Sequence, residues 1–221
     1  MKDPVVIFDF DGTIADTLEL LFVIGNEMAT EFKFKSVSRD QIEINRTKSL
    51  RQLIRELEVP VLKIPTILLK SKTELNNRIQ EVEMIEGITD LLFRLKEENI
   101  RLGLVSTNSE ANIHSVLKNH GLENVFDFIS VCSGLFGKAR VLRRVMKTHH
   151  FNAKQMLYVG DEIRDIEAAR RSGIPIVSVT WGYNSSEVLE KHAPDYLIDH
   201  PREIIQILEK QKKQTENKPS A

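Results

Sequence analysis

Two carboxylates spaced i, i+2 close the apolar run in Val5-Val6-Ile7-Phe8-Asp9-Phe10-Asp11-Gly12-Thr13. A short, continuous run rich in β-branched residues predicts a strand buried on both faces. Gly12 permits a sharp turn as the chain leaves that strand. Asp9 and Asp11 then stand at its carboxyl end, where open α/β sheets bind ligands. Carboxylates in such a place must be paired, hydrogen-bonded or on a cation, because unpaired buried charge is costly. The chemistry on offer is metal binding, acid/base catalysis or attack by a carboxylate nucleophile. A calcium loop of the EF-hand type is excluded: Gly12 falls too early, and Leu20 stands where the bidentate glutamate belongs.

Three further groups follow apolar runs. Ser106-Thr107-Asn108-Ser109 comes after Leu102-Gly103-Leu104-Val105 and opens a helical stretch, a natural place for an anion. The same residues also make an ordinary helix cap, with Ser109 capping and Glu110 in the first turn. Ser133-Gly134-Leu135-Phe136-Gly137-Lys138 precedes another helical stretch. Its GxxGK spacing and Ala139 rule out a P-loop. Lys138 is either a surface charge or the neutralising partner of a phosphate or a carboxylate pair. Tyr158-Val159-Gly160-Asp161-Glu162-Ile163-Arg164-Asp165 places acids directly after a run, the hard oxygen donors that magnesium prefers. Taken together, successive strand ends supply carboxylates, a hydroxyl, a lysine and more carboxylates. Phosphoryl transfer through an aspartyl-phosphate requires that set.

The elements that must position these groups are legible from periodicity. Apolar runs at Leu102–Val105, Phe128–Val131, Met156–Val159, Ile176–Val179 and Tyr196–Ile198 alternate with helical stretches near 109–119, 138–149, 163–172 and 201–211. Such alternation predicts βαβ units and a parallel sheet covered by helices on both faces. Residues 17–84 read as helical throughout, with Leu18, Leu21, Phe22, Gly25, Met28 and Ala29 at helical spacing and Leu50, Leu53, Ile54 and Leu57 likewise. No strand-like run breaks that stretch, and Pro60 and Pro65 separate two of its helices. The expected organisation is therefore a core of 1–16 and 85–210, a helical insertion over 17–84, and a frayed polar tail over 211–221.

Composition adds bounds. A chain of 221 residues, 41% hydrophobic and 29% charged, is ordinary for a globular protein. A net charge of −1 gives no bulk attraction to nucleic acid or anionic membranes, and neither is expected as a partner. Cys132, the only cysteine, forbids an intrachain disulfide and points to a reducing compartment. With no signal-peptide pattern and no apolar stretch of spanning length, the expected location is cytoplasmic.

The motifs taken in order resemble the haloacid dehalogenase superfamily in its phosphatase branch: Asp9-Phe10-Asp11-Gly12-Thr13, Ser106, Lys138, and Gly160-Asp161-Glu162-Ile163-Arg164-Asp165. The resemblance covers the chain to about residue 210. It implies a Rossmann-like core with a helical cap inserted after the first strand, as in phosphoglycolate phosphatase-like members. Asp9 is implied as nucleophile, and Asp11 as the acid and then base, its backbone carbonyl also on magnesium. Ser106 and the Thr107 amide are implied to bind phosphate, and Lys138 to stabilise the charge on Asp9 and the phosphoryl group. Asp161 is implied as a Mg2+ ligand together with Asp9, and Asp165 as support for the cation site or for Lys138. Dehalogenases of the superfamily lack the second aspartate, so Asp11 places the chain among enzymes of phosphate esters. The implied activity is magnesium-dependent hydrolysis of a small phosphorylated metabolite, phosphoglycolate-like or a sugar phosphate, by a monomer or homodimer. A phosphosugar mutase is the alternative, and a non-catalytic binding protein would have been expected to lose one of the charges. Arg46 and Lys48, in Asn45-Arg46-Thr47-Lys48-Ser49, are candidates for an anionic leaving group, although a solvated loop has the same pattern. Trp181-Gly182-Tyr183, after the Ile176–Val179 run, emerges at the same edge of the sheet, where it walls the pocket, contacts the cap or supplies a core aromatic.

Overall fold

The computed structural model describes residues 3–48, 50–132 and 137–216. Ser49, the Ser133–Phe136 part of the Lys138 motif and the last five residues of the expected tail lie outside that set. A parallel sheet in the order β5-β4-β1-β6-β7-β8 forms the centre. Its strands are β1 (Val5–Phe8), β4 (Arg101–Ser106), β5 (Phe128–Val131), β6 (Met156–Gly160), β7 (Ile176–Val179) and β8 (Tyr196–Ile198). β1 is fully buried because it pairs on both edges, Phe8 standing opposite Leu104 of β4 and Val159 of β6. The chain runs outward from β1 through β4 to β5, then returns to β6 on the other side and runs outward again. That reversal at β1/β6 opens a crevice at the carboxyl ends of the strands.

Alternation along the strands builds two apolar layers. Val6, Phe8, Leu102, Leu104, Leu157 and Val159 face α5 (Ile88–Glu97), α6 (Glu110–Asn119) and α10 (Glu203–Glu216). Val5, Ile7, Val105, Met156 and Tyr158 face α7 (Lys138–His149), α8 (Ile163–Ser172) and Leu189 of α9 (Ser186–Lys191). The two layers cover the two faces of the sheet whose strand ends line the crevice.

The chain between β1 and β4 carries the helical insertion. It contains α1 (Leu18–Phe32), α2 (Ile42–Asn45), α3 (Leu50–Glu56) and α4 (Ile64–Asn77). Ile24, Met28 and Ile67 give it a small apolar centre of its own between α1 and α4. One expectation is corrected here. A strand does break the 17–84 stretch: β3 (Glu83–Met84) pairs antiparallel with β2 (Ala15–Asp16), with Ala15 opposite Met84 and Asp16 opposite Glu83. A two-residue ribbon carries no periodic signal; it exists because the two passages of the chain meet, with Ile85 N–H bonded to Ile14 O at 3.0 Å. The tail also differs, since α10 continues to Glu216 through residues expected to fray. No described helix is long and apolar enough to cross a membrane.

Candidate active site

Asp9 follows β1 directly, and its backbone N–H still bonds Val159 O at 2.8 Å, which fixes the side chain at the switch point. Its carboxylate accepts from Phe10 N–H at 2.8 Å through Oδ1 and from the ammonium of Lys138 through Oδ2. Lys138 is the first residue of α7 and is buried. It reaches across to Asp165 Oδ1 at 2.6 Å, so one ammonium bridges two carboxylates. Asp165 lies in the first turn of α8 and is held further by Tyr158 Oη at 3.0 Å and Glu162 N–H at 3.1 Å. The lysine of the motif is therefore a buried charge partner, not a surface charge.

Asp161, just beyond β6, is fully buried. Oδ1 accepts from Thr13 Oγ1 at 2.8 Å and Oδ2 from Tyr183 N–H at 2.7 Å. Two loops press on it closely. A Cβ on Gly182 would stand 2.2 Å from the carboxylate, and one on Gly12 would stand 2.5 Å from Oδ2, with Gly12 at φ +72°. These glycines are required by that close approach. Oxygens of Asp9, Asp161 and Asp165 lie within 4.8 Å of one another.

The charge balance of this cluster is uneven. Burial, followed by the charges of Glu162, Asp165 and Asp9, pushes the Asp161 carboxyl well above its ordinary range. Burial likewise pushes Asp9 up to about 7, the attraction of Lys138 only partly offsetting it. For Lys138, burial alone would lower the pKa, but Asp165 and Asp9 outweigh it and hold the ammonium charged. The single lysine thus serves Asp9 and Asp165, whereas Asp161 meets only neutral donors among the described residues. Three buried carboxylates against one ammonium, all offering hard oxygen, fit a divalent cation of the magnesium type.

Asp11 stands apart from this cluster, half-buried on the turn after β1. Asn108 Nδ2 donates to its Oδ1 at 2.9 Å. Burial raises its pKa, opposed by hydrogen bonds from Asn108 and Thr17. Ser106 ends β4 and is buried; its Oγ accepts from Asn108 N–H at 3.0 Å, leaving the hydroxyl proton to donate. Thr107 follows, half-buried, on the turn leading to α6. Ser109 does cap α6, accepting from Asn112 N–H. The capping and anion-site readings of Ser106–Ser109 are thus both compatible with one turn.

Arg46 and Lys48 are placed elsewhere than on a solvated loop. Arg46 is 14% exposed; it pairs with Glu43 at 2.9 Å and donates through Nη2 to Thr180 O at 2.6 Å. Its own carbonyl accepts from Ser185 N–H at 3.1 Å, docking the insertion on the β7–α9 loop. Lys48 pairs with Glu56 at 2.5 Å and donates to Asn45 Oδ1 at 3.2 Å. Glu162 is engaged by Arg164, with Nε at 2.9 Å. Trp181 is half-buried against the apolar layer, and its Nε1 donates to Thr13 O at 3.1 Å, bracing the turn that carries Asp11.

Thr13, Asn108, Tyr158 and Tyr183 join the site without having been singled out as functional. Thr13 and Asn108 lay inside quoted motifs, so the signal for them was present. Tyr158 lay in one as well, and Tyr183 in the segment after the Ile176–Val179 run, but nothing in the sequence marked the Tyr183 backbone N–H as a partner of Asp161 or its hydroxyl as a 2.5 Å contact of Thr17.

A twisted parallel sheet carrying this carboxylate–lysine constellation at its switch point, under a helical insertion, defines a hydrolase of the haloacid dehalogenase type. The profile of the haloacid dehalogenase-like hydrolases matches residues 6–179, and the chain belongs to that family. It is similar to a phosphoglycolate phosphatase of Synechococcus elongatus, 31% identical over 91% of this chain and 95% of that protein. A pyrophosphatase, PpaX, of Bacillus mycoides is 23% identical over 94% of this chain and 98% of its own. Among solved structures, a haloacid dehalogenase-like family protein from Streptococcus pneumoniae superposes with a TM-score of 0.81 at 24% identity, covering 94% of this chain and 100% of the other. The protein is a phosphatase-type enzyme of this family.

Proposed function

We propose that the enzyme is a magnesium-dependent phosphomonoesterase that hydrolyses a small phosphorylated metabolite through an aspartyl-phosphate on Asp9. The observation that carries this reading is the bridge from Lys138 to Asp9 and Asp165, with Asp161 across from it and Asp11 on the turn two residues beyond Asp9.

Asp9 attacks phosphorus with one carboxylate oxygen, and the phosphorus–oxygen bond to the leaving group breaks. The departing electron pair stays on the leaving oxygen, which takes a proton from Asp11. Water then attacks the acyl-phosphate, giving a proton back to Asp11 while the phosphorus–oxygen bond to Asp9 breaks. Lys138 stays charged throughout and offsets the negative charge on Asp9 and the phosphoryl oxygens. The Ser106 hydroxyl and the Thr107 amide donate to those oxygens. Asp9, Asp161 and the Asp11 carbonyl would hold Mg2+, which supplies charge neutralisation and substrate orientation when bound. The helical insertion closes the crevice, excludes water and contacts the leaving group.

Similarity over nearly the whole chain to the Synechococcus elongatus enzyme makes phosphoglycolate the first substrate to try. The test is phosphate release from phosphoglycolate, sugar phosphates, pyrophosphate and 4-nitrophenyl phosphate, with magnesium and with chelator, by wild type and Asp9→Asn. Magnesium-dependent release that vanishes in Asp9→Asn is the expected result. Release that survives the substitution would remove the covalent mechanism. A requirement for a bisphosphate activator would identify a mutase.

A further inference from the structure

Asn76, Asn112 and Asn108 form a continuous line of side-chain amides from the insertion to Asp11. Asn76 lies at the end of α4 and is exposed; Asn112 is buried on α6; Asn108 is buried on the turn after β4. Asn112 Nδ2 donates one proton to Asn76 Oδ1 at 2.6 Å and the other to Asn108 Oδ1 at 2.8 Å. Asn108 Oδ1 also accepts from Ser109 N–H at 2.8 Å. Both donors of the Asn112 amide and both lone pairs of the Asn108 carbonyl are then in use. This settles the orientation of the Asn108 amide, since a flipped amide would point its N–H groups at two donors. Its Nδ2 is left to face Asp11, and donates to Oδ1 at 2.9 Å.

We propose that Asn108 is a positioning residue for Asp11, and that Asn76 and Asn112 relay the seating of the insertion to it, so that Asp11 is aimed for proton transfer when α4 rests on the core. The idea rests on the reading of Asp11 as general acid. With Oδ1 held as an acceptor, the proton of the acid form sits on Oδ2. As the phosphorus–oxygen bond breaks, that proton passes to the leaving oxygen and the electron pair of the broken bond becomes its new O–H bond. Without the Asn108 donor the carboxyl group keeps only its Thr17 hydrogen bond, its orientation is less restricted, and proton delivery is lost in part.

The consequence is specific to leaving groups that need a proton. Benzyl phosphate releases an alkoxide and depends on the acid, whereas 4-nitrophenyl phosphate, of similar shape, releases a stable phenolate. The ratio of kcat/KM for the two esters therefore reports proton delivery, and general damage to the fold leaves it unchanged. Asp11→Asn should depress the benzyl ester selectively; if it does not, the acid role of Asp11 fails and with it the proposed function. Given that control, Asn108→Ala should lower the benzyl-to-nitrophenyl ratio by about tenfold or more. Asn112→Ala should lower it by less, and Asn76→Ala, an exposed position that leaves the fold intact, should shift it in the same direction. An unchanged ratio in Asn108→Ala overturns the positioning role. A shifted ratio in Asn108→Ala with wild-type ratios in both Asn112→Ala and Asn76→Ala overturns the relay.

Discussion

Lys138 Nζ lies 2.6 Å from Asp165 Oδ1 while the same ammonium also holds Asp9, so the proposed nucleophile and the first turn of α8 share one positive charge. All three side chains are buried, so removing one partner leaves uncompensated charge away from water and is expensive.

Replacing Lys138 by Met removes the cation and leaves Asp9 and Asp165 facing each other without compensation. Breaking a buried pair from one side typically costs about 3–5 kcal/mol. Urea melts of metal-free protein at neutral pH should show a loss of that order, accompanied by loss of phosphatase activity. Near-wild-type stability would mean that the carboxylates are compensated by something other than Lys138.

The raised carboxyl groups make the metal-free protein sensitive to pH in a defined direction. Asp9 is pushed from 3.8 to about 7, and Asp161 is raised well above its ordinary value. Between these limits the folded state holds protons that the unfolded chain has released, so this contribution to stability is full below about pH 4 and is lost as pH rises through about 7. Thermal melts in chelator should show this contribution declining from pH 5 to pH 8. Saturating magnesium, which favours the ionised carboxylates, should flatten the decline. A metal-free protein that gains stability from these groups over that interval would contradict the assignment.

Asp161 should trade stability for cation binding. Asp161→Asn removes a buried ionisable carboxyl that meets only neutral donors among the described residues, and it keeps the shape of the side chain. The metal-free variant should melt higher than the metal-free wild type, and magnesium should no longer raise its Tm. A magnesium-induced rise of wild-type size would place the cation elsewhere.

Gly182→Ala tests the approach of the β7–α9 loop to that carboxylate. A Cβ there would lie 2.2 Å from Asp161, so loop and carboxylate must separate. Overpacking of this kind costs about 1–3 kcal/mol. Calorimetry should also show weaker magnesium binding, because the Tyr183 N–H that orients Oδ2 moves with the loop. Unchanged affinity would show that the orienting bond is dispensable.

The sequence by itself determined the strands, the helices that cover them and the chemical groups at their ends. β1, β4, β6 and β7 were legible because strands buried on both faces need unbroken apolar runs, and Asp9, Ser106, Lys138 and Asp161 were legible because each falls within a residue of a strand or helix end. Only the tertiary structure decided which groups meet. Pairing of β1 between β4 and β6 sets Asp9 beside Asp161, and packing of α7 on α8 decides between the two readings of Lys138 in favour of a buried bridge. The ribbon of β2 and β3 escaped because two residues hold no period. Arg46 was legible as a candidate, but its docking contact and the Tyr183 contact were not, because each rests on a backbone atom, Thr180 O in one case and the Tyr183 N–H in the other. Every residue type carries the carbonyl and all but proline the N–H, so their partners become visible only when the chain has closed on itself.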